Sequence, residues 1–272
     1  MPHRIVAALP SARLQPYRDL WTANGGTACT DADIAPLYQW QVEMCSAWYE
    51  VLAYTETVVR HALDNALRQW NTAQGLGPDW IAAPAPTLRR VLGARVMTEL
   101  HDSASRAAAK RGTADRSFGP HPRQGQPVSH DDLVAQLTFG NLVHLLPITA
   151  PTPQARGRLR SNLTRSEQLW IHGTQHAFPH LPNVSRSRHW TRFSPGSSVP
   201  SSVAQGYLLS SALERLRGVR NRVGHHEQMF RVGHVQRHRD AILVVRAISD
   251  PAAVALQALS RVLSSVAAEP KP

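Results

Sequence analysis

The sequence predicts an all-α protein. Three observations carry that expectation: a helical apolar period running from residue 31 to 70, further Ala-, Leu- and Arg-rich stretches with few breakers, and no convincing strand. In the long segment, apolar or aromatic residues fall at Ile34, Tyr38, Cys45, Trp48, Leu52, Val59, Leu63, Ala66 and Trp70, in steps of three, four or seven. That spacing makes one buried stripe on a single amphipathic helix of about forty residues, or on two helices end to end, over the region 31–72. Asp31 or Asp33 is the expected cap, and 75-GLGP-78 the stop.

A second helix is expected over 87–111, with Gly93 its only breaker, and the Gly- and Pro-rich segment 112–128 reads as a loop. Ser129 suits an N-cap, with Asp131 and Asp132 in the first turn of a helix over 131–146 that Pro147 limits. The stretch 156–178 reads as helical and 179–200, rich in Pro, Ser and Arg, as a connection. A helix then begins near Ser201, with Leu208, Leu209, Ala212, Leu216, Val219 and Val223 on its apolar face, and the motif-bearing region spans 201–230. A last helix is expected over 251–268. The nearest strand candidate, 241-AILVVRAI-248, sits among helices, and no repeat divides the chain. One all-helical domain over 1–272, with an irregular middle, is the expected organisation.

A hydrophobic content of 42% suits a globular core. Two cysteines, Cys29 and Cys45, give no disulfide framework, so a reducing cytoplasm is the expected compartment. The apolar run near the start, IVAAL, is short for a signal peptide, and no stretch approaches the roughly 18 apolar residues of a membrane span, so no membrane partner is expected. The formal charge of +11 and pI of 10.9 point to a polyanionic partner such as nucleic acid. Lysine occurs only at Lys110 and Lys271, so compositional bias toward arginine explains the same total. The distribution says more: residues 183–239 hold ten arginines against two glutamates, Glu214 and Glu227.

Those arginines crowd around 217-RGVRNRVGHHEQMF-230. On a continued helix Asn221 and His225 share one face, about 40° apart; Arg220 flanks it and His226 points roughly 100° further round. Adjacent histidines on a helix are poor joint ligands for one metal, and the H-E-x-x-H pattern is absent, so no metal or other cofactor is expected. Arginine beside histidine suits RNA cleavage by the 2′-hydroxyl. Histidine moves protons near neutrality, and arginine grips phosphate oxygens where negative charge develops. Asn221 can hold the imidazole or the phosphate in register. From spacing alone, the string equally describes an ordinary helix C-terminus with cations complementing its dipole.

The string 220-RNRVGHHE-227 resembles the hallmark of Abi-like (abortive infection) proteins of the HEPN superfamily: Arg, a polar residue usually Asn, three variable residues, then His. Three more blocks are similar in order. In 37–70, Glu56 and Arg60 match an E-x-x-x-R-N element, with His61 where Asn is usual; 137-LTFGNLVHLL-146 resembles an L-S-F-G segment, and 169-LWIHGTQHAFP-179 an L-W…F-P segment. The resemblance implies a HEPN-like helical bundle with additional helices. It also implies metal-independent endoribonuclease activity in abortive infection, antiphage defence or as a toxin, with the site formed between two protomers. Arg220 and His225 carry over as the catalytic pair and Asn221 and His226 as assisting groups. Arg60, Glu56, Arg217 and Arg222 are the auxiliary or RNA-binding candidates. RNA, a homodimer partner, and a cognate antitoxin or regulatory RNA are the partners expected. Departures are Gly224 where Ala is frequent and Gln228 where Pro is usual. A non-catalytic RNA-binding or regulatory HEPN protein is the alternative, and a helical module with no nucleic-acid role a third.

Weaker features read as structure. His172, His176 and His180 read as loop or surface histidines and the seven tryptophans as core or interface anchors, while Arg186, Arg188 and Arg192 lie in a basic connection.

Overall fold

The computed structural model describes residues 2–26, 29–113, 119–159, 161–190 and 199–271, and among them secondary structure is helical throughout. Helices α1 (Pro2–Val6) and α2 (Ser11–Ala23) lead into α3 (Asp31–Ala73), 43 residues in one unbroken run. At 1.5 Å per residue α3 is about 65 Å long, the axis against which the other elements pack. Its cap is Thr30, not Asp31 or Asp33. The Asp33 carboxylate instead accepts from the Thr30 N–H (2.8 Å) and hydroxyl (2.6 Å), the reciprocal half of a capping box. Within the expected stripe, Ile34, Trp48, Leu52, Val59, Leu63 and Ala66 are buried and Tyr38, Cys45 and Trp70 half-buried. The GLGP segment ends α3 as expected: Gly75, at φ 78°, donates to the Thr72 carbonyl and Leu76 to that of Asn71.

Four expected helices are each broken. The segment 87–111 is two helices, α4 (Pro86–Leu92) and α5 (Ala94–Lys110), because Gly93 between them takes φ 86°. The segment 131–146 is α6 (His130–Ala135) and α7 (Phe139–His144). Ser129 caps α6 as expected, and Thr138 caps α7 with Asn141, whose side-chain oxygen accepts from the Thr138 N–H at 2.9 Å. The segment 156–178 becomes α8 (Pro153–Gly157), α9 (Arg165–His172) and a 3-10 turn over Thr174–Ala177, with Thr164 and Glu167 forming a further capping box. A local Ser/Thr cap starts a new helix wherever it satisfies orphan N–H groups, and apolar periodicity is blind to that.

The loop 112–128 is confirmed where described, apart from the 3-10 turn Arg111–Thr113; residues 114–118 lie outside the described part. The 179–200 connection contains α10 (Leu181–Val184), and residues 191–198, including Arg192, are not among those described. The motif helix α11 spans Ser201–Gly224 and so stops six residues before 230. Residues 241–248 are the second half of α12 (His234–Ile248), and the last expected helix is α13 (Asp250–Leu259) and α14 (Val262–Ala267). His172, His176 and His180 are exposed on three separate elements.

The core runs along α3, which touches α1, α2, α7, α11, α12 and α14. Five tryptophans are buried, and each indole N–H is partnered: Trp40 to the Ser265 carbonyl, Trp48 to His234 Nδ1, Trp80 to Asp64, Trp170 to the Ser202 carbonyl and Trp190 to Asp240. Trp21 and Trp70 pack half-buried on the core. Asp240, fully buried, accepts from Arg215, Arg237, His189 and Trp190, which fixes α11 against α12. These anchors set the direction in which the end of α11 emerges beside α3.

Candidate functional site

The motif straddles a helix end. α11 closes at Gly224, His225 is its C-cap, and His226 lies in the left-handed region at φ 54°. The His226 N–H donates to the Val223 carbonyl (3.2 Å) and the Glu227 N–H to that of Arg222 (2.8 Å). That pair of bonds is a Schellman motif. α2 and α3 end in the same way, with glycines Gly25 and Gly75 at the left-handed position. Of the two sequence readings, the helix C-terminus is the one the structure bears out, and the continued helix that set His226 about 100° from its neighbour is corrected: the last orphan carbonyls are satisfied by a left-handed turn there.

This turn is held from two sides. Gln41, 3% exposed on the buried face of α3, donates through Nε2 to the Glu227 carbonyl (3.0 Å) and accepts from the Met229 N–H (3.1 Å). Arg13 of α2 donates through Nη2 to the His226 carbonyl. Beneath them Tyr17 packs edge-on against Phe230, ring centroids 5.3 Å apart.

The side chains divide between two adjoining cavities. One, of about 490 Å³, lies between α3 and the end of α11 and is lined by Glu56, Arg60, Arg220 and Gly224. Arg60 is half-buried: its Nη2 donates to Glu56 Oε1 at 2.5 Å and to the Leu137 carbonyl at 2.9 Å. Both residues of this pair line the groove, with Glu56 and the Leu137 carbonyl fixing the guanidinium. Arg220 is exposed over the same groove. Two arginines against one carboxylate leave it net positive, suited to a phosphate.

His225 and His226 line the second cavity, about 730 Å³, with Arg13, Tyr38 and Val42. Tyr49 and Val223 form the wall common to both. Within one chain, then, the structure joins Arg220 to Arg60 and Glu56, and joins His225 to His226, but sets the two groups on either side of Tyr49. Asn221 is exposed and lines neither cavity. Among the described residues, the side chains of Arg220, Asn221, His225 and His226 make no hydrogen bond or ion pair. Two nearby groups have shifted titrations. Burial pushes the Cys45 thiol up against the opposing charge of Arg13, and hydrogen bonds from Arg261 hold the Glu50 carboxyl below the usual range.

The other two auxiliary arginines are tied off. Arg217 donates to Glu214 at 2.7 Å and packs beside Gly140 of α7. Arg222 donates to the Gln228 carbonyl (3.1 Å), with Glu227 at 3.5 Å. Sequence reasoning missed Arg13, Gln41 and Tyr49. Gln41 had a signal, being polar between Leu37, Trp40 and Met44. Tyr49 had one too: Val42, Ser46, Tyr49, Ala53, Glu56 and Arg60 form a second helical line along α3, and that line walls both cavities. Arg13, in a short N-terminal helix, had none. No family model, curated protein or solved structure matches this chain.

Proposed function

We propose that the protein is a metal-independent endoribonuclease of the HEPN type, acting in defence or as a toxin through a site shared by two copies of the chain. One observation carries this reading: a positive groove holding Arg60 and Arg220 lies wall to wall with an exposed, unpartnered His225. Arg220 and Arg60 bind the scissile phosphate and stabilise the phosphorane. His225 transfers a proton to or from the 2′- or 5′-oxygen, with His226 assisting and Asn221 orienting. The 2′-oxygen bonds to phosphorus as the 5′-oxygen leaves with a proton, giving a 2′,3′-cyclic phosphate and a 5′-hydroxyl. A two-fold pairing of α11 ends supplies Arg220 of one chain and His225 of the other to one phosphate.

The separation of Arg220 from His225 by Tyr49 within a single chain favours a second reading, an RNA-binding or regulatory protein that does not cut. Cleavage of end-labelled RNA in excess EDTA by the wild type and His225→Ala tells them apart. The first reading expects 5′-hydroxyl ends from the wild type and none from the variant. Binding without cleavage by both proteins supports the second, and products with 5′-phosphates rule out attack by the 2′-oxygen.

A further inference from the structure

The 730 Å³ cavity beside His225 and His226 lies across Tyr49 from the groove lined by Arg60 and Arg220. We propose that it is a nucleobase subsite, which receives one unpaired base next to the phosphate in the Arg60–Arg220 groove and restricts the substrate to single-stranded RNA. This inference rests on the RNA-binding reading above.

Its walls are those a base requires. Tyr38, Val42, Tyr49 and Leu9 give flat and apolar surface, while Arg13, His225 and His226 stand among them as polar groups able to meet a base edge. Sites for small ligands of this size combine mostly apolar walls with a few directed polar groups. Tyr49 is 67% exposed although the helix carrying it is the core axis, and its ring stands on the wall between the two cavities. A phosphate on one side of that ring and a base on the other can belong to one nucleotide, joined through its ribose. Proteins read single strands in this way, stacking splayed bases on aromatic rings and meeting their edges with hydrogen bonds.

The line along α3 supports the same occupant. Ser46 and Ala53, one turn either side of Tyr49, are small, so the ring is flanked by open space. The one acid in the cavity is Glu50, and Arg261 pairs with it at 2.6 Å, so it does not oppose a nucleotide. Gln41 is engaged by the motif turn through both ends of its amide and plays no part in reading the base. A base paired in a duplex cannot enter, because it would have to leave its stack.

The test uses fluorescein-labelled 2′-fluoro RNA hexamers, which lack the attacking hydroxyl, either with bases throughout or abasic at the central positions. Affinity is measured for the full-length wild type, Tyr49→Ala and Arg220→Ala. The wild type is expected to bind the base-bearing probe about tenfold more tightly than the abasic one. Tyr49→Ala weakens the base-bearing probe far more than the abasic one and so removes most of that ratio. Arg220→Ala weakens both probes alike. A base-to-abasic ratio unchanged in Tyr49→Ala overturns the subsite while leaving the phosphate groove intact. If neither probe binds the wild type, the RNA reading itself falls and takes the subsite with it. If Tyr49→Ala instead turns a sedimenting dimer into a monomer without altering the ratio, the cavity is a face between copies and the proposal is wrong.

Discussion

At His226 a non-glycine residue occupies the left-handed position of a helix-ending turn, at φ 54°, where the chain elsewhere uses Gly25 and Gly75. An L-residue there is strained by roughly 1 kcal/mol or more, and a cost retained against an available glycine points to use of the side chain. Two effects of His226→Gly therefore separate. The variant should be at least as stable, because relief of about 1 kcal/mol of strain is offset by the roughly 0.5–1 kcal/mol of entropy that glycine adds to the unfolded chain, a rise of about 1 °C or less in a thermal melt. Under the proposed chemistry, its RNA cleavage should fall at the same time. His226→Asn tolerates the same backbone geometry without the imidazole, and should lose cleavage at unchanged stability. If both variants cleave like the wild type, His226 is a cap and nothing more. The Arg-Asn and His-His pairs were plain in the sequence, whereas the left-handed turn at His226 was not. It depends on Arg13 and Gln41, 213 and 186 residues away from the carbonyls they grip.

Among the elements, α6 is fastened to α3 by one half-buried histidine. His130, 9% exposed, opens the helix with Nε2 2.7 Å from Asp64 of α3 and Nδ1 2.8 Å from Asp79. Each ring nitrogen faces a carboxylate, so the imidazolium is the form that suits the site. Burial opposes the charge, but the two carboxylates outweigh it and raise the pKa above the ordinary 6.5. The other charged group at this cluster is Arg68, 3.7 Å from Asp64 and 3.8 Å from Asp131. A raised folded pKa places the stabilisation fully below about 6.5 and removes it as pH climbs through the higher folded value. Thermal midpoints from pH 7 to 9 should therefore decline in the wild type, above the range in which the lowered pKa values of buried His234 and His238 act in the opposite sense. His130→Gln should start lower and decline less, and parallel curves would rule out His130 as the source. Asp64 and Asp79, both lowered despite burial, add stability that acid removes at the opposite end of the range. The Ser129 cap of this helix could be read from the sequence because capping is local. The His130 cluster could not, since its partners lie 66 and 51 residues away. The same contrast explains the long helices: α3 follows its apolar period through 43 residues, while Thr138 and Thr164 restart helices inside segments whose periodicity looked continuous.

Over the whole molecule the charge of +11 is less available than its total suggests. Around the motif, Arg215 and Arg237 are committed to Asp240, Arg217 to Glu214, and Arg222 to Glu227 and the Gln228 carbonyl. The sequence displayed the excess of arginine over acid between 183 and 239, but which charges are spent on folding is set by contacts across elements. Arg220 is left exposed over the groove, and Arg60 reaches the same groove with Glu56 beside it. Under the proposed function, RNA binding should register this inequality through its dependence on salt. Each phosphate neutralised on a single strand contributes about 0.7 to the slope of log affinity against log salt. Arg220→Ala should lower the slope by about that amount. Arg217→Ala and Arg222→Ala should lower it by less, because each guanidinium already has a carboxylate as its counterion. Arg60→Ala should weaken binding most at low salt, since it removes a phosphate contact and leaves the Glu56 carboxylate, 21% exposed, facing the bound backbone without its partner. Arg60→Ala combined with Glu56→Gln should recover part of that loss. Equal slopes for all four single variants would mean that RNA lies on the surface by net charge alone, with no groove selecting where its phosphates sit.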